Sequence, residues 1–138
     1  MQDFEAVIQT TYLGAWDADV TPERMVFIAP CDCRIVGVKL ADSTAKTGDD
    51  TNYGIYELRK KLATGLGTAV VATLSTLLTV DLVAHVAKTI PLSGTIANLN
   101  IPAGTAVTFL GTEAGAATSG DLVKAALAIA WVPGYSSV

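Results

Sequence analysis

Residues 24–41 read Arg24-Met-Val-Phe-Ile-Ala-Pro-Cys-Asp-Cys-Arg-Ile-Val-Gly-Val-Lys-Leu-Ala41, and they predict two β-strands, 24–29 and 33–41. A sharp bend at 30–32 joins the strands, because proline lacks an amide hydrogen and an aspartate side chain bonds nearby backbone. We expect a hairpin here, and we expect the rest of the chain to be organised around it.

The second of these strands has the two-residue period of a β-strand. Its alternation predicts one face that belongs to the core and one that does not. The predicted core face carries Val36, Val38 and Leu40, and the other carries Ile35, Gly37 and Lys39.

The composition is apolar and poor in charge. The chain has 138 residues, enough for one domain over 1–138, with 51% hydrophobic and 16% charged residues. An ordinary soluble domain has roughly 25% charged residues, so part of the surface here must be apolar. Because large apolar patches usually contact other proteins, we expect an oligomer or a component of a larger assembly.

The charge balance argues against a nucleic-acid partner, and the length of the apolar runs argues against a membrane partner. The net charge is −4 and the pI is about 4.7, whereas phosphate binding needs clustered lysine or arginine. The one basic cluster, 59–61, is interpreted as a strand end or loop. The start of the chain lacks a secretory signal, and the apolar run 125–132 is too short to span a bilayer, which predicts synthesis in the cytoplasm.

The reactive side chains do not form a recognisable catalytic or metal-binding pattern. Cys31 and Cys33 lie too close in one strand for an unstrained disulfide, and a metal site needs more ligands, so free thiols are expected. His85 is interpreted as structural. Asp49 and Asp50 lack the spacing of a calcium loop. We therefore expect no catalytic residue, no metal and no cofactor.

The remaining elements follow from alternation and turn residues. The predicted strands, besides those in 24–41, cover 4–13, 53–60, 68–74, 84–90, 96–101, 105–111 and 121–132. Residues 75–86 are left open between strand and short helix. The predicted loops are 14–22, which includes Trp16, then 42–52, 63–67 and 112–120.

The last strand is apolar on both faces, as expected for a strand buried between layers or inside an oligomer. Val123, Ala125, Leu127, Ile129 and Trp131 alternate with Leu122, Lys124, Ala126, Ala128 and Ala130. With about eight or nine short strands in total, the sequence predicts an all-β, jelly-roll-like antiparallel β-sandwich.

Three passages carry a resemblance to a known group of proteins. They are Phe27-Ile-Ala-Pro-x-x-x-Arg-Ile-Val-Gly-Val38, Gly54-Ile-Tyr-Glu-Leu58 and Ile101-Pro-Ala-Gly-Thr-Ala-Val-Thr-Phe109, followed by the alanine- and valine-rich last strand. In order and character, residues 24–132 resemble the small capsid cement or decoration proteins of tailed bacteriophages. The resemblance implies a jelly-roll or related β-sandwich that forms dimers or trimers outside an icosahedral shell.

The resemblance also implies partners. These are the major capsid protein, whose neighbouring copies the protein would bridge, and further copies of the chain itself. The location implied is the capsid exterior. We expect the contacts at the N-terminal segment 1–13, an arm or a strand of the protein's own sheet, and at the tail 133–138. The candidate interface residues are Phe4, Val7, Ile8, Tyr12, Trp16, Trp131 and Tyr135.

Two other classes use similar folds. A carbohydrate-binding module or a phage fibre or tail domain would need exposed aromatics, which Trp16, Tyr53, Tyr56 and Tyr135 could supply. An enzyme on this fold would resemble a cupin, whose metal site needs several histidines, or a glycosidase with two paired carboxylates. The single histidine argues against the first, and we expect no enzyme.

Overall fold

The computed structural model describes residues 6–20 and 23–134. Its regular structure is almost entirely strand, which confirms the predicted all-β class. In chain order the elements are β1 Val7–Trp16, β2 Arg24–Ile28, β3 Cys33–Ala41, β4 Tyr53–Lys60, β5 Ala69–Ser75, β6 Lys88–Thr89, α1 Ile96–Leu99, β7 Asn100–Ile101, β8 Ala106–Ala114 and β9 Leu122–Pro133.

The strands form two antiparallel sheets. The first has the order β1-β9-β3-β6, with β7 also paired to β3, and the second has the order β2-β8-β4-β5. The pairs β4–β5, β3–β6, β2–β8 and β1–β9 are nested, as in one long antiparallel ribbon. Rolling up this ribbon brings β9 against β3 and β8 against β4. This connectivity is that of a jelly roll, and it confirms the predicted sandwich.

The expected hairpin of residues 24–41 is wrong, although both of its strands exist. β2 pairs with β8 in the second sheet, whereas β3 pairs with β9 in the first, so the bend carries the chain from one sheet to the other. The bend is held by another turn: Ala103 N donates to Asp32 Oδ1 (2.8 Å), and Gly104 N donates to Ala29 O (2.8 Å). Alternation reveals a strand but not the sheet in which it pairs.

A β-bulge in β3 overturns part of its predicted face. The register with β9 shifts between Ile35 and Gly37, and a bulge of this kind moves later side chains to the opposite face. Ile35, Val38 and Leu40 are therefore all buried, while Val36 is 43% exposed. Val36 was predicted in the core and Ile35 outside it, and both placements are wrong.

A second irregularity occurs at the start of β9. Leu122 is buried and Val123 is exposed, opposite to the predicted alternation, which holds only from Ala125 onward. The cause is the buried carboxylate of Asp42, which accepts hydrogen bonds from the backbone N–H groups of Lys124 (2.8 Å) and Val123 (3.1 Å). These two amides turn toward a side chain, and the strand gains an extra outward residue.

Three further predictions need correction. Of the strand predicted at 84–90 only β6 is present, and residues 75–86, which were left open between strand and short helix, form no helix. The predicted strand 96–101 begins as the helical turn α1 and becomes extended only at β7. The predicted loop 112–120 starts late, because β8 continues to Ala114. All three lie in segments rich in small or β-branched residues, where the hydrophobic period is weak.

The core lies between the two sheets. Its largest fully buried side chains come from both layers: Trp16, Ile35, Leu40, Leu127 and Ile129 from the first sheet, and Tyr56, Leu58 and Phe109 from the second. The Tyr56 and Phe109 rings stack at 6.3 Å between centroids, and the Trp16 ring meets Phe109 edge-on at 4.8 Å. Val107 and Phe109 share the buried face of β8, and Tyr56 and Leu58 that of β4, as predicted.

Candidate interaction surface

The first sheet has an outward face that is apolar at its centre, with the charged residues Arg34 and Lys124 toward its two ends. In β9, Leu127 and Ile129 point into the core, so Ala126, Ala128 and Ala130 point outward. Methyl side chains do not cover a sheet, and the three alanines are only half-buried. The centre of this face is therefore low and apolar.

The two flanking strands complete the face. Ile8 and Tyr12 of β1 lie opposite Ala130 and Ala126, and they are 68% and 70% exposed. On the other side Gly37 and Lys39 of β3 lie opposite Ala130 and Ala128. We call this surface the outer sheet face; it consists of Ile8, Thr10, Tyr12, Val36, Gly37, Lys39, Ala126, Ala128 and Ala130.

A shallow groove of about 320 Å³ runs across the outer sheet face. Its floor is Gly37, Ala128 and Ala130, and its walls include Ile8 and Val36. Small floor residues let another backbone approach closely, and exposed apolar walls gain free energy when they are covered. The one charged side chain among the residues of this face is Lys39. The face is therefore suited to contact with another protein.

The structure separates the predicted interface residues into three groups. Val7, Ile8 and Tyr12 are exposed on β1. Trp16 and Trp131 are buried in the core, at 1% and 9% exposure, and are unavailable for surface contact. Phe4 and Tyr135 lie outside the described residues.

The placement of Trp16 in a loop is wrong, because Trp16 is the last residue of β1. Its indole Nε1 donates to Gly111 O (3.1 Å), and the Arg24 guanidinium lies 5.2 Å from the centre of its ring. The two-residue alternation of β1 does not predict that Trp16 is buried, because the pairing with β9 shifts on both sides of Gly14. Gly14 has a positive φ of 69°, which a glycine adopts without strain.

Among the residues that the structure describes, the aromatic side chains considered for carbohydrate binding do not come together on the surface. Trp16 and Tyr56 are buried in the core, and burial raises the pKa of the Tyr56 hydroxyl, which donates to Gly120 O. Tyr53 is half-buried on β4, and Tyr135 lies outside the described residues. A stacking platform for a sugar is therefore not formed by the described members of this set.

A larger cleft, of about 650 Å³, lies between the edge of β2 and the turns at 61–65 and 102–106. It holds Glu23, which forms an ion pair with Lys61 and accepts a hydrogen bond from the Thr108 hydroxyl. Burial opposes the ionisation of Glu23, but Lys61 and Thr108 outweigh it, and the pKa of Glu23 is lowered. Because Glu23 and Lys61 neutralise each other, this pair offers no net charge to attract a ligand.

His85 and Asp49, the other residues considered for catalysis or metal binding, lie in turns that backbone hydrogen bonds hold. His85 is exposed in a turn with φ of 62°, and its backbone N–H donates to Asp42 O (2.8 Å). Asp49 Oδ1 accepts from the backbone N–H groups of Thr51 and Asn52, both at 2.7 Å, and these bonds lower the pKa of Asp49. In residues 6–20 and 23–134, no group of three or more His, Cys, Asp or Glu is placed to hold a metal ion.

The two cysteines are free thiols, as predicted, and differ in exposure. Cys33 is buried, and desolvation, together with the nearby Cys31 and Asp32, raises its pKa to about 11.

Because the thiolate is the nucleophile, we expect iodoacetamide at pH 8 to alkylate Cys31 in the folded protein and to spare Cys33. Peptide mass spectrometry after a short pulse measures this, with the unfolded chain as control. Equal labelling of both thiols in the folded protein would contradict the buried position of β3.

No helix in the described part of the chain is long and apolar enough to cross a membrane.

Comparison with known proteins does not assign a family. No protein-family model and no curated protein matches the sequence. Among solved structures, the chain is similar to a chain in the structure of infectious bursal disease virus Gx strain, with 14% identity and a TM-score of 0.43. The similarity covers 96% of this chain and 33% of that chain, so this chain spans about a third of its length. The fold class rests on the strand connectivity described above.

Proposed function

We propose that this protein is a structural component of a virion that binds the outside of an icosahedral phage capsid. In this role it stabilises the shell by bridging neighbouring major capsid proteins. The observation that carries the proposal is the outer sheet face, an apolar surface that includes Ile8, Tyr12 and Ala128 and has Lys39 as its one charged side chain. The resemblance of residues 24–132 to phage cement proteins supports the same role.

The outer sheet face is our proposed contact with the shell. Its strands are central or paired, so the surface is rigid before binding, and little conformational entropy is lost when it is covered. The alanine floor allows a loop or strand of the capsid protein to lie close to the backbone, and Ile8 and Tyr12 supply large apolar contacts. Of the residues predicted at the interface, Ile8 and Tyr12 belong to the outer sheet face and stay in the proposal, whereas Val7 is exposed on β1 outside it.

The mechanism is physical and needs no catalytic group or cofactor. A module that binds across a junction between shell subunits must detach before the subunits separate, so its binding free energy adds to the cost of opening the shell. Many symmetry-related sites multiply a modest contact. The proposed partners are the major capsid protein and further copies of this chain, as a dimer or trimer on the capsid exterior.

The test is binding to shells that lack this chain, measured as copies per major capsid protein by quantitative mass spectrometry. We expect the wild-type protein to reach a ratio of order one, set by icosahedral symmetry. Ala128→Asp places a carboxylate, which must lose its water when the face is covered, in the middle of the contact and is expected to weaken binding at least about tenfold.

The matched control is Thr73→Asp, an exposed strand position in the second sheet. It is expected to bind as the wild type does. Equal binding of both variants would refute the outer sheet face as the contact. Failure of the wild-type protein to bind, or a ratio of only a few copies per particle, would refute the capsid role and favour a tail or fibre component.

A further inference from the structure

The four sheet edges in the described structure are protected to very different degrees. Exposed strand edges invite pairing with other chains, so proteins keep them short, bulged, charged or covered. In the first sheet β6 and β7 have two residues each. In the second sheet β2 has five residues, begins with Arg24 and contains a register shift.

The edge at β5 is covered by the segment 91–93. Thr73 N donates to Pro91 O (3.1 Å), and Ser93 N donates to Val71 O (2.8 Å). This segment occupies the backbone groups that β5 would otherwise present to solvent. Three of the four edges are therefore either too short to pair with a strand of another chain or already protected.

β1 is the exception. It has ten residues, Val7–Trp16, without a charge or a proline, and within the described residues it pairs with β9 alone. Its second half is partly protected by the bend at Gly14 and by Arg24, whose Nη1 donates to Leu13 O (2.7 Å). The open part is residues 7–12, where Ile8 and Tyr12 are mostly exposed.

We propose that the open edge of β1 is a self-association site, at which two copies of this chain pair their β1 strands antiparallel about a two-fold axis at Thr10. The first sheets of the two copies then become one continuous sheet. This interface uses the backbone edge of β1, which adjoins the proposed contact with a capsid, and it exists in the isolated protein.

A second copy fits this edge because the sequence around Thr10 is self-complementary. In this register Ile8 lies opposite the partner's Tyr12, Gln9 opposite the partner's Thr11, and the two Thr10 residues face each other. Aromatic–β-branched and Thr–Thr cross-strand pairs are among the favourable ones. No residue of β1 is charged, so two chains of net charge −4 meet without repulsion at the edge. A capsid partner would need its own matching strand, whereas a second copy always has one.

Pairing at β1 also enlarges the apolar surface of the protein. Ile8 and Tyr12 belong to the outer sheet face, so pairing at β1 joins the outer faces of two copies into one apolar surface. The axis lies at its centre. A two-fold arrangement also excludes a closed trimer through the same edge, because an isologous contact uses the same patch on both copies.

Sedimentation equilibrium of the isolated full chain tests the proposal. We expect a monomer–dimer equilibrium with a Kd on the order of 1–100 µM, since a single strand edge is a small interface. Thr10→Lys places two ammonium groups opposite each other at the axis and is expected to raise Kd at least about tenfold. Thr73→Lys, in the second sheet, is expected to leave Kd unchanged. A wild-type monomer at about 200 µM, a trimer, or equal Kd values for both variants would overturn the proposal.

Cross-linking fixes the register. Residues opposite each other in an antiparallel pair have Cα atoms about 4.5–5.5 Å apart, within disulfide range. In a Cys31→Ser background, Thr10→Cys is expected to form a covalent dimer at least about a hundredfold faster than Thr73→Cys. Equal rates would overturn the axis at Thr10. Because no shell is present, the outcome is independent of whether the capsid role holds.

Discussion

Replacing Ile129 with aspartate is expected to abolish the native fold. Ile129 is 1% exposed at the centre of β9, the middle strand between β1 and β3. The substitution removes a packed side chain and leaves a carboxylate among the apolar side chains of the core, a combination that costs more than about 4 kcal/mol. Natural domains have only about 5–15 kcal/mol of stability in total. Circular dichroism and thermal melting would show loss of the cooperative transition or a large fall in Tm.

The adjacent residue provides the control. Ala128 precedes Ile129 in the same strand but points outward, opposite Thr10 and Lys39. Ala128→Asp places its carboxylate beside the Lys39 ammonium, at the surface, and is expected to fold with a change in stability below about 1 kcal/mol. If Ala128→Asp unfolds the protein while Ile129→Asp does not, the inward and outward faces of β9 have been assigned the wrong way round.

The sequence predicts those parts of the fold where alternation is regular. Residues 53–60 are an example. Tyr56 and Leu58 alternate with Ile55, Glu57 and Arg59, and both are fully buried in β4. The number of strands and the turn residues between them are also enough to predict a jelly-roll-like sandwich. Alternation shows which side chains of a strand share a face, and predictions of this kind are the ones that succeed.

The errors occur where a distant residue changes the local geometry. Val36 is pushed outward by a bulge that exists only because β3 pairs with β9. Val123 and Leu122 exchange faces because the carboxylate of Asp42, about eighty positions earlier, accepts hydrogen bonds from the start of β9. The sheet change at Pro30 is of the same kind. Each depends on contacts between segments far apart in the chain, which a pattern within one segment does not contain.

Part of the candidate site follows from the sequence. Low charge and the apolar faces of β9 predict contact with other proteins, and Ile8 and Tyr12 are predicted interface residues of the N-terminal segment 1–13; both are exposed on β1. The groove was missed, because its floor combines Gly37 with Ala128 and Ala130 from another strand. A run of alanines at every second position, 126, 128 and 130, was the available signal: small residues on the outward face leave room for a partner.

Removing the side chain of Trp16 is the second large effect we expect. Trp16 is 1% exposed, packs edge-on against Phe109 and donates a hydrogen bond to Gly111 O. Trp16→Ala leaves a cavity and an unpaired carbonyl, and it is expected to destabilise the fold by about 3–5 kcal/mol. Urea unfolding followed by circular dichroism measures this loss, since the second tryptophan, Trp131, keeps fluorescence from reporting on Trp16 alone.

A double-mutant cycle with Gly111 separates this packing from a general loss of core volume. A Cβ atom added at Gly111 would lie 2.6 Å from Trp16 Nε1, so Gly111→Ala is expected to destabilise the wild-type protein by about 1–3 kcal/mol. In the Trp16→Ala background the added methyl group enters the cavity, and the cost is expected to vanish or change sign. Additive effects of the two substitutions would mean that the indole ring does not lie against β8, and that the end of β1 is placed incorrectly.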